Sequence, residues 1–323
     1  MLVYTEGTRG SSPVSGQSAV RHGGNTTCVR IDSKCLPTNH WLLVDGGTGI
    51  IPVGWQFIQS VGKTITLLQT HYHHDHTQGF PLSVFPYLKA IPINIWGPVD
   101  HGYGPREVYR NLMQPPFFPV GFDAIASHIV CHEIEHPNVT MLLFHPVGGV
   151  KRMRQDEFER LCQAGKQMPF AKYKFALEEC LVVSMFRSNH PEQTITYRFA
   201  EHTTGQTFVF LTDHENQKAI PVDFLRHVQG ADLLIEDCQY TVEKYQKVTA
   251  GWGHGSPDYV AELALKAGVK ALGLTHHDPP SSDDLIDEIV AATTHYIRDA
   301  GSNIPVFGCS DGMKIEVGKI INQ

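Results

Sequence analysis

His71-Tyr72-His73-His74-Asp75-His76 places four imidazoles and one carboxylate in six consecutive positions. Directly before it, Lys63 to Thr70 reads KTITLLQT, an apolar, β-rich run that predicts a buried strand. The histidines therefore fall where a strand ends and a loop begins, a place where chains carry chemistry. At the period of two of extended backbone, His71 and His73 point the same way. Asp75 and His76 come from the turn beyond and can reach a second ion. Imidazole nitrogen with one carboxylate suits zinc, and iron or manganese less exclusively. A solvated histidine-rich tract is the competing reading, but a tract would not follow a buried strand or be interrupted by an aspartate. His74 is expected to line the pocket or to sit behind the ligands.

The spacing H-x-H-x-D-H at this location resembles the signature of the metallo-β-lactamase superfamily, whose two-metal hydrolases need further ligands downstream. Ser188-Asn189-His190-Pro191 follows the apolar run Leu181 to Phe186 and offers His190 as third ligand of the first metal. Phe208 to Thr212 is another apolar run, ending in Asp213, which can bridge both ions. Lys270 to Thr275 ends in His276, which would complete the second metal. One His or Asp at a strand end is commonly structural. Four strand ends delivering such residues in one chain point to a dinuclear site.

Composition fits a catalytic protein without identifying one. The 323 residues, 41% hydrophobic, suffice for a large core in a single domain spanning residues 1–323. No 18-residue apolar run occurs, so no membrane-spanning helix is expected. The start, Met1-Leu2-Val3-Tyr4-Thr5, lacks a basic region and a cleavage site, which argues against secretion. Seven scattered cysteines without a C-x-x-C pair read as reduced thiols in a cytoplasm. A formal charge of -7 argues against a surface built throughout for polyanions.

Along the chain, β-type apolar runs alternate with helical patterns, which favours an α/β layered architecture. Ser256-Pro257 places a cap residue and a first-turn proline before Val260, Leu263, Ala264 and Ala267, and Gly268 closes that helix. Ser281 to Asp299 carries Leu285, Ile286, Ile289, Val290, Tyr296 and Ile297 on one stripe. Both helices are expected to cover a sheet.

Further stretches narrow the resemblance. Arg9-Gly10-Ser11-Ser12-Pro13, His22-Gly23-Gly24-Asn25-Thr26-Thr27-Cys28 and Leu43-Val44-Asp45-Gly46-Gly47-Thr48-Gly49 look like the N-terminal pattern of the superfamily's phosphodiesterase branch, the group of ribonuclease Z and the cyclic-phosphate phosphodiesterases. Asp75 to Pro81 and Thr275-His276-His277-Asp278-Pro279 extend the match, which covers most of the chain apart from a middle segment. The resemblance implies an αβ/βα four-layer sandwich with an inserted middle segment, metals at one edge, and phosphodiester hydrolysis by a metal-bound hydroxide. It implies two divalent ions, most readily Zn2+, with Mn2+ or Fe2+ as alternatives, and a homodimer. His74 departs from the family, where tryptophan or a small residue is common; the ligand set stays intact and substrate preference is what the change touches.

Gly251-Trp252-Gly253-His254-Gly255-Ser256 resembles the family's catalytic histidine motif. His254 would be the general acid, because in-line attack on phosphorus expels an alkoxide that a positioned imidazolium can protonate, a contribution of typically about 10² to 10⁴ in rate. The alternative is a histidine that braces the loop before the helix. Asp75 and Asp213 would also orient the nucleophile. Asp45 is either a partner behind a ligand histidine or a turn former before Gly46-Gly47. Asn25, His277 and Asp278 are expected behind the ligands or in the pocket.

The middle, about residues 100–180, is expected to form an insert or lid. Gln114 to Val120 (QPPFFPV) could wall the pocket or pack in the core. Between Gly149 and Lys174, Lys151, Arg152, Arg154, Arg160, Lys166, Lys172 and Lys174 face only Asp156, Glu157 and Glu159, a local excess of positive charge that could attract an anionic substrate or simply solvate a helix.

Three readings compete. The first is a phosphodiesterase acting on a small or cyclic nucleotide, a small anionic phosphodiester. The second is a tRNA 3′-end endonuclease of the ribonuclease Z type, or a hydrolase of another ester on the same fold. The third is a binding protein that keeps the fold without turnover, which the complete ligand set disfavours.

Overall fold

The computed structural model describes residues 1–319. The apolar run before the hexad forms a strand shorter than its sequence suggests, Thr64–Leu68. Thr70 leaves the ladder because its backbone N–H and its hydroxyl both donate to Asp45.

The first half of the chain lays down strands β1 (Leu2–Gly7), β2 (Cys28–Asp32), β3 (His40–Val44), β4 (Thr64–Leu68), β5 (Ile93–Pro98) and β6 (Ile129–Ile134). The second half adds β7 (Thr140–His145), β8 (Gly149–Arg154), a short hairpin of β9 (Met168–Pro169) and β10 (Lys174–Phe175), then β11 (Leu181–Arg187), β12 (Ile195–Glu201), β13 (Gln206–Leu211), β14 (Leu233–Asp237), β15 (Leu272–Thr275) and β16 (Val306–Gly308). The last strand, β17 (Met313–Glu316), returns to pair with β1. Two large sheets result, ordered β17-β1-β2-β3-β4-β5-β6 and β16-β15-β14-β13-β12-β11-β7-β8. Strands β3 to β6 run parallel, as do β13 to β16, and the remaining neighbours in both sheets are antiparallel.

Parallel strands need cover on both faces, and every residue of β14 and β15 is buried. Leu42 and Leu68 from the first sheet meet Phe144, Val183, Tyr197, Phe210 and Ile235 from the second in a core between the sheets. Burying one such phenylalanine contributes about 1.5 to 3 kcal/mol. The outer face of the first sheet is covered by helices Ile50–Gln59 and Pro105–Leu112. Helices Val222–Val228, Pro257–Ala267 and Asp283–Asp299 cover the second. This is the expected four-layer αβ/βα sandwich.

The two helices read from sequence form with small differences. Gly268 has the left-handed backbone expected of a terminator, φ 62°, ψ 42°. Ser256 stands at the start of its helix, but its hydroxyl donates to Asp258 rather than capping a backbone N–H. The second helix begins at Asp283, not Ser281, because the Ser282 hydroxyl accepts from the N–H of Leu285.

Residues 100–180 divide. Helix Pro105–Leu112 and β6 are integral to the first half, with Phe118 and Val120 packed on its core and Phe117 exposed. Helix Gln155–Gln163 and the β9–β10 hairpin pack over β7, β8 and β11 through Met141, Leu143, Met153, Met168, Phe170 and Val182. The basic side chains lie on this lobe, all exposed except half-buried Lys151. Among the described residues no helix is long and apolar enough to cross a membrane.

Candidate metal centre

The hexad lies beyond the carboxyl end of β4, and the downstream residues converge on it from other strand ends. Asp45 follows β3, Asp213 lies two residues past β13, and His276 follows β15. All three adopt left-handed backbone, with φ of 61°, 51° and 61°, and so does Ser11 with φ 58°. Such geometry is costly for residues other than glycine and concentrates at functional sites. Asp75 and His76 sit on a single helical turn, His74–Thr77. Gly47 passes beneath it, where an added Cβ would lie 2.2 Å from the carbonyl oxygen of Asp75.

Asp75, His76, Asp213 and His276 form the tighter cluster. His76 Nε2 is 3.3 Å from Asp75 Oδ2, 3.2 Å from Asp213 Oδ1 and 3.3 Å from His276 Nε2. His276 Nε2 is 3.0 Å from Asp75 Oδ2 and 3.3 Å from Asp213 Oδ1. Donor atoms 3.0 to 3.3 Å apart have about the spacing of neighbouring ligands around a zinc ion, whose bonds to nitrogen and oxygen are about 2.0 to 2.2 Å.

His71, His73, His190 and Asp213 form the neighbouring cluster, with ligand atoms within 4.8 Å of one another. Asp213 Oδ2 lies 3.5 Å from His71 Nε2 and 3.8 Å from His190 Nε2. These three atoms are buried and take part in no hydrogen bond. Buried polar atoms are almost always partnered; three orphans facing one another fit an ion between them. Asp213 thus serves both clusters, one oxygen to each.

Surrounding side chains orient the rings. Asp45, wholly buried, lies 2.8 Å from His76 Nδ1, which leaves Nε2 to face the cluster. Gln239 Oε1 accepts from His276 Nδ1 at 3.2 Å. Thr194 Oγ1 is 3.0 Å from His190 Nδ1. Asp75 Oδ2 accepts the backbone N–H of Ser11 at 2.7 Å.

His254 stands beside the candidate ligands, its ring 4.9 Å from that of His276 and 6.0 Å from that of His190. Its Nδ1 pairs with Asp237 Oδ2 at 2.8 Å. The preceding Gly253, φ 97°, has no room for a side chain, since a Cβ would lie 2.3 Å from the His190 ring. Tyr245 and the N–H of Gly253 both donate to Glu215, which pins this loop to the one carrying Asp213.

The electrostatics separate the clusters. Burial opposes charge on His276, but Asp213 and Asp75 outweigh it and hold the ring up to about 9. His76 is likewise raised against its burial by Asp213, Asp75 and Asp45. Asp75 and Asp213 are held well below the usual carboxylate range by the histidines despite burial. In the first cluster burial dominates: His190 is pushed down to about 4 and His71 well below its ordinary value.

The seven residues read as ligands converge on the two clusters, with His254 beside them. His74 is exposed and lines the mouth of a cavity of about 400 Å³, together with Ser11, Tyr72, His73, Asp75, Asp213, His254 and His276. Three others lie outside the cluster. Asn25 is tied by its backbone to Thr8, Arg9 and Asp311. His277 points its Nε2 to the carbonyl of Cys309. Asp278 pairs with Lys244. The sequence reading did not single out Asp237, Gln239 or Glu192. Asp237 ends the apolar β14 run, so the rule that found Asp213 applies to it; Gln239 and Glu192 carry no such signal.

No family model matches the chain. It is 34% identical over 271 residues to a ribonuclease Z of Brevibacillus brevis, covering 79% of this chain and 80% of that protein. It is also 25% identical over 257 residues to a ribonuclease Z of Lachnoclostridium phytofermentans, covering 74% and 78%. Among solved structures, the metallo-β-lactamase fold protein YhfI from Bacillus subtilis superposes with TM-score 0.58 at 16% identity, covering 98% of this chain and 99% of that one. The short form of human tRNase Z gives 0.57 at 20% identity, covering 98% and 99%. Zn2+-bound PqqB from Methylobacterium extorquens gives 0.56 at 16% identity, covering 98% and 100%. These structures share the fold, and the curated relatives share the sequence over most of its length. With its paired histidine–aspartate clusters at the strand ends, the chain belongs to the ribonuclease Z family of metallo-β-lactamase-fold proteins and is a hydrolase of phosphodiester bonds that depends on divalent metal.

Proposed function

We propose that this enzyme holds two ions and acts on a small nucleotide-type phosphodiester, with cyclic nucleotides the leading candidates. The observation that carries the reading is the wall of the cavity. At about 400 Å³ it has small-molecule dimensions, and its lining contains no lysine or arginine while Asp75 and Asp213 face into it. A lone phosphodiester charge suits such a wall better than a run of phosphates does. The basic lobe residues Arg152, Arg154, Lys172 and Lys174 belong to β8 and the β9–β10 hairpin, and none of them lines this cavity.

His71, His73, His190 and Asp213 would hold the first ion, and Asp75, His76, His276 and Asp213 the second. Zinc is the best fit to these donors, with manganese or iron as alternatives. Such ions supply Lewis acidity toward a phosphoryl oxygen and lower the pKa of water. The protein's own part is orientation and proton transfer. Asp75, held by the Ser11 N–H, would accept a hydrogen bond from the attacking water and orient it. With Nδ1 committed to Asp237, His254 turns Nε2 to the cavity as proton donor to the departing alkoxide.

A second reading, processing of tRNA 3′ ends, is favoured by the curated relatives, which are named ribonuclease Z. Turnover of 3′,5′-cyclic nucleotides, 2′,3′-cyclic nucleotides and unprocessed tRNA under one condition separates the two. Preference for a cyclic nucleotide is expected, and efficient cleavage of the tRNA alone would overturn the first reading. A homodimer fits the exposed Trp55 and Ile58 on one face of helix Ile50–Gln59, and seven unpaired cysteines fit a reducing cytoplasm.

A further inference from the structure

Most ligand histidines have their outward ring nitrogen occupied by a neutral side chain or a buried carboxylate. For His76 it is Asp45, for His276 Gln239, for His71 Thr70 and for His190 Thr194. His73 is the exception. Its side chain is 45% exposed, whereas those of His71, His76, His190 and His276 are at most 1% exposed. It also stands at the start of a helical turn rather than at a strand end. An exposed ring that must adopt one orientation loses conformational freedom when it binds metal.

Glu192 is the group that faces this ring. Its Oε2, a buried atom that makes no hydrogen bond, lies 3.2 Å from His73 Nε2 and 3.2 Å from His190 Nδ1, between the two rings. We propose that Glu192 is a positioning residue of the first metal pocket, its carboxylate spanning His73 and His190 so that both rings turn their other nitrogen to the same ion. The loop that carries it is closed on itself. The Glu192 carbonyl accepts the Thr194 N–H at 2.8 Å, and the Thr194 carbonyl accepts the Ser188 N–H at 2.8 Å. This fixes the backbone of Glu192 two residues beyond the ligand His190, so its side chain folds back over the histidine pair. A carboxylate behind a ligand imidazole fixes its tautomer and raises its basicity, and removing such a partner typically weakens metal binding by about 10- to 100-fold. The second cluster already has its carboxylate in Asp45; Glu192 gives the first cluster its counterpart, and one carboxylate serves two rings.

The proposal rests on the two-metal reading, and the experiment separates their failures. Metal-free wild type, E192A and E192Q are titrated with Zn2+ against a chromophoric chelator, and with Co2+ while its visible absorption is followed. Wild type taking up two ions is expected. In E192A one of the two ions should bind about 10- to 100-fold more weakly, with the other unchanged and the melting temperature of the metal-free protein unchanged. E192Q, which keeps the length and one acceptor oxygen, should remain at least about threefold weaker than wild type and shift the Co2+ spectrum. Wild-type affinity for both ions in E192A overturns the proposal, as does full recovery in E192Q, which would make Glu192 a neutral filler. If E192A does not fold, E192Q decides. Fewer than two ions on wild type overturns the two-metal reading and this proposal with it.

Discussion

Replacing Asp45 by asparagine tests whether the strand ends are built around the second metal cluster. Asp45 is wholly buried and accepts from four donors. Its Oδ1 takes the Thr70 N–H at 2.8 Å and Gln69 Nε2 at 3.0 Å, while its Oδ2 takes the Thr70 hydroxyl at 2.8 Å and His76 Nδ1 at 2.8 Å. Asparagine offers one oxygen, so its amide nitrogen must face one of these pairs. Facing the first, it confronts a backbone N–H that cannot turn away. Facing the second, the Thr70 hydroxyl can rotate to accept from it. His76 must then move its proton to Nε2, the nitrogen turned toward the cluster.

Loss of a charge-assisted bond costs about 1.5 to 3 kcal/mol and a stranded buried donor about 1 to 3 kcal/mol, so D45N should lose roughly 3 to 5 kcal/mol. For a chain of this length that is a fall in melting temperature of roughly 4 to 7 °C. The second ion should also bind about 10- to 100-fold more weakly. Differential scanning calorimetry of metal-free and metal-loaded protein, with a chelator competition titration, reads both effects. A D45N protein that melts with wild type and binds both ions normally would refute the role given to Asp45.

H254A should lower kcat on bis(p-nitrophenyl) phosphate by about 10² to 10⁴ without changing metal content by elemental analysis; loss of metal would make His254 structural. D237N should lower kcat in the same assay by less than H254A, because the ring remains but its Nδ1 anchor is weakened; a wild-type rate would remove Asp237 from the scheme. Elemental analysis should find close to two transition-metal ions per chain, and an active metal-free enzyme would sink the mechanism. Stability should fall as pH drops from about 6.5 toward 4, because burial depresses His40 to about 4 and His227 to about 3, so the unfolded chain takes up protons that the native one refuses. Urea midpoints for wild type and a H40Q/H227Q variant should show the flatter pH dependence in the variant.

The fold and the convergence of the candidate ligands were legible because strands that end in chemistry have a plain linear signature, an apolar run followed closely by His or Asp. Leu181 to His190, Phe208 to Asp213 and Lys270 to His276 all carry it, and the alternation with amphipathic helices gave the layered class. What was not legible depends on backbone shape. The left-handed turns at Asp45, Asp213 and His276 decide that these side chains converge, and no residue type announces them. Asn25 and His277 looked like site residues by nearness to motifs, but Asn25 is bonded through its backbone to Thr8, Arg9 and Asp311, and His277 Nε2 to the carbonyl of Cys309. Glu192 was invisible for a related reason: its importance comes from a loop that folds back on itself. The middle segment offered an amphipathic helical pattern from Met153 to Cys162, which forms helix Gln155–Gln163, but no ligand signal, and only pairing showed β6 completing one sheet while β7 and β8 begin the growth of the other.

The two clusters also bear on stability, because their ligands come from both halves of the sandwich. His71, His73, Asp75 and His76 belong to the first sheet's loops, and His190, Asp213 and His276 to the second's. At this edge the apolar core gives way to four buried carboxylates, Asp45, Asp75, Asp213 and Asp237. Carboxylates this close and this buried need positive charge among them. Asp213 and Asp75 accordingly favour positive charge on His76 and His276 against the burial of both rings. On the two-ion reading, an ion in each cluster would tie the halves together, adding about 2.7 kcal/mol per site at a free concentration one hundred times its dissociation constant. Asp213, with one oxygen to each cluster, is where the two clusters and the two sheets meet. The geometry proposed for catalysis is therefore part of what joins the fold, since the side chain of Asp213 reaches histidines from both halves.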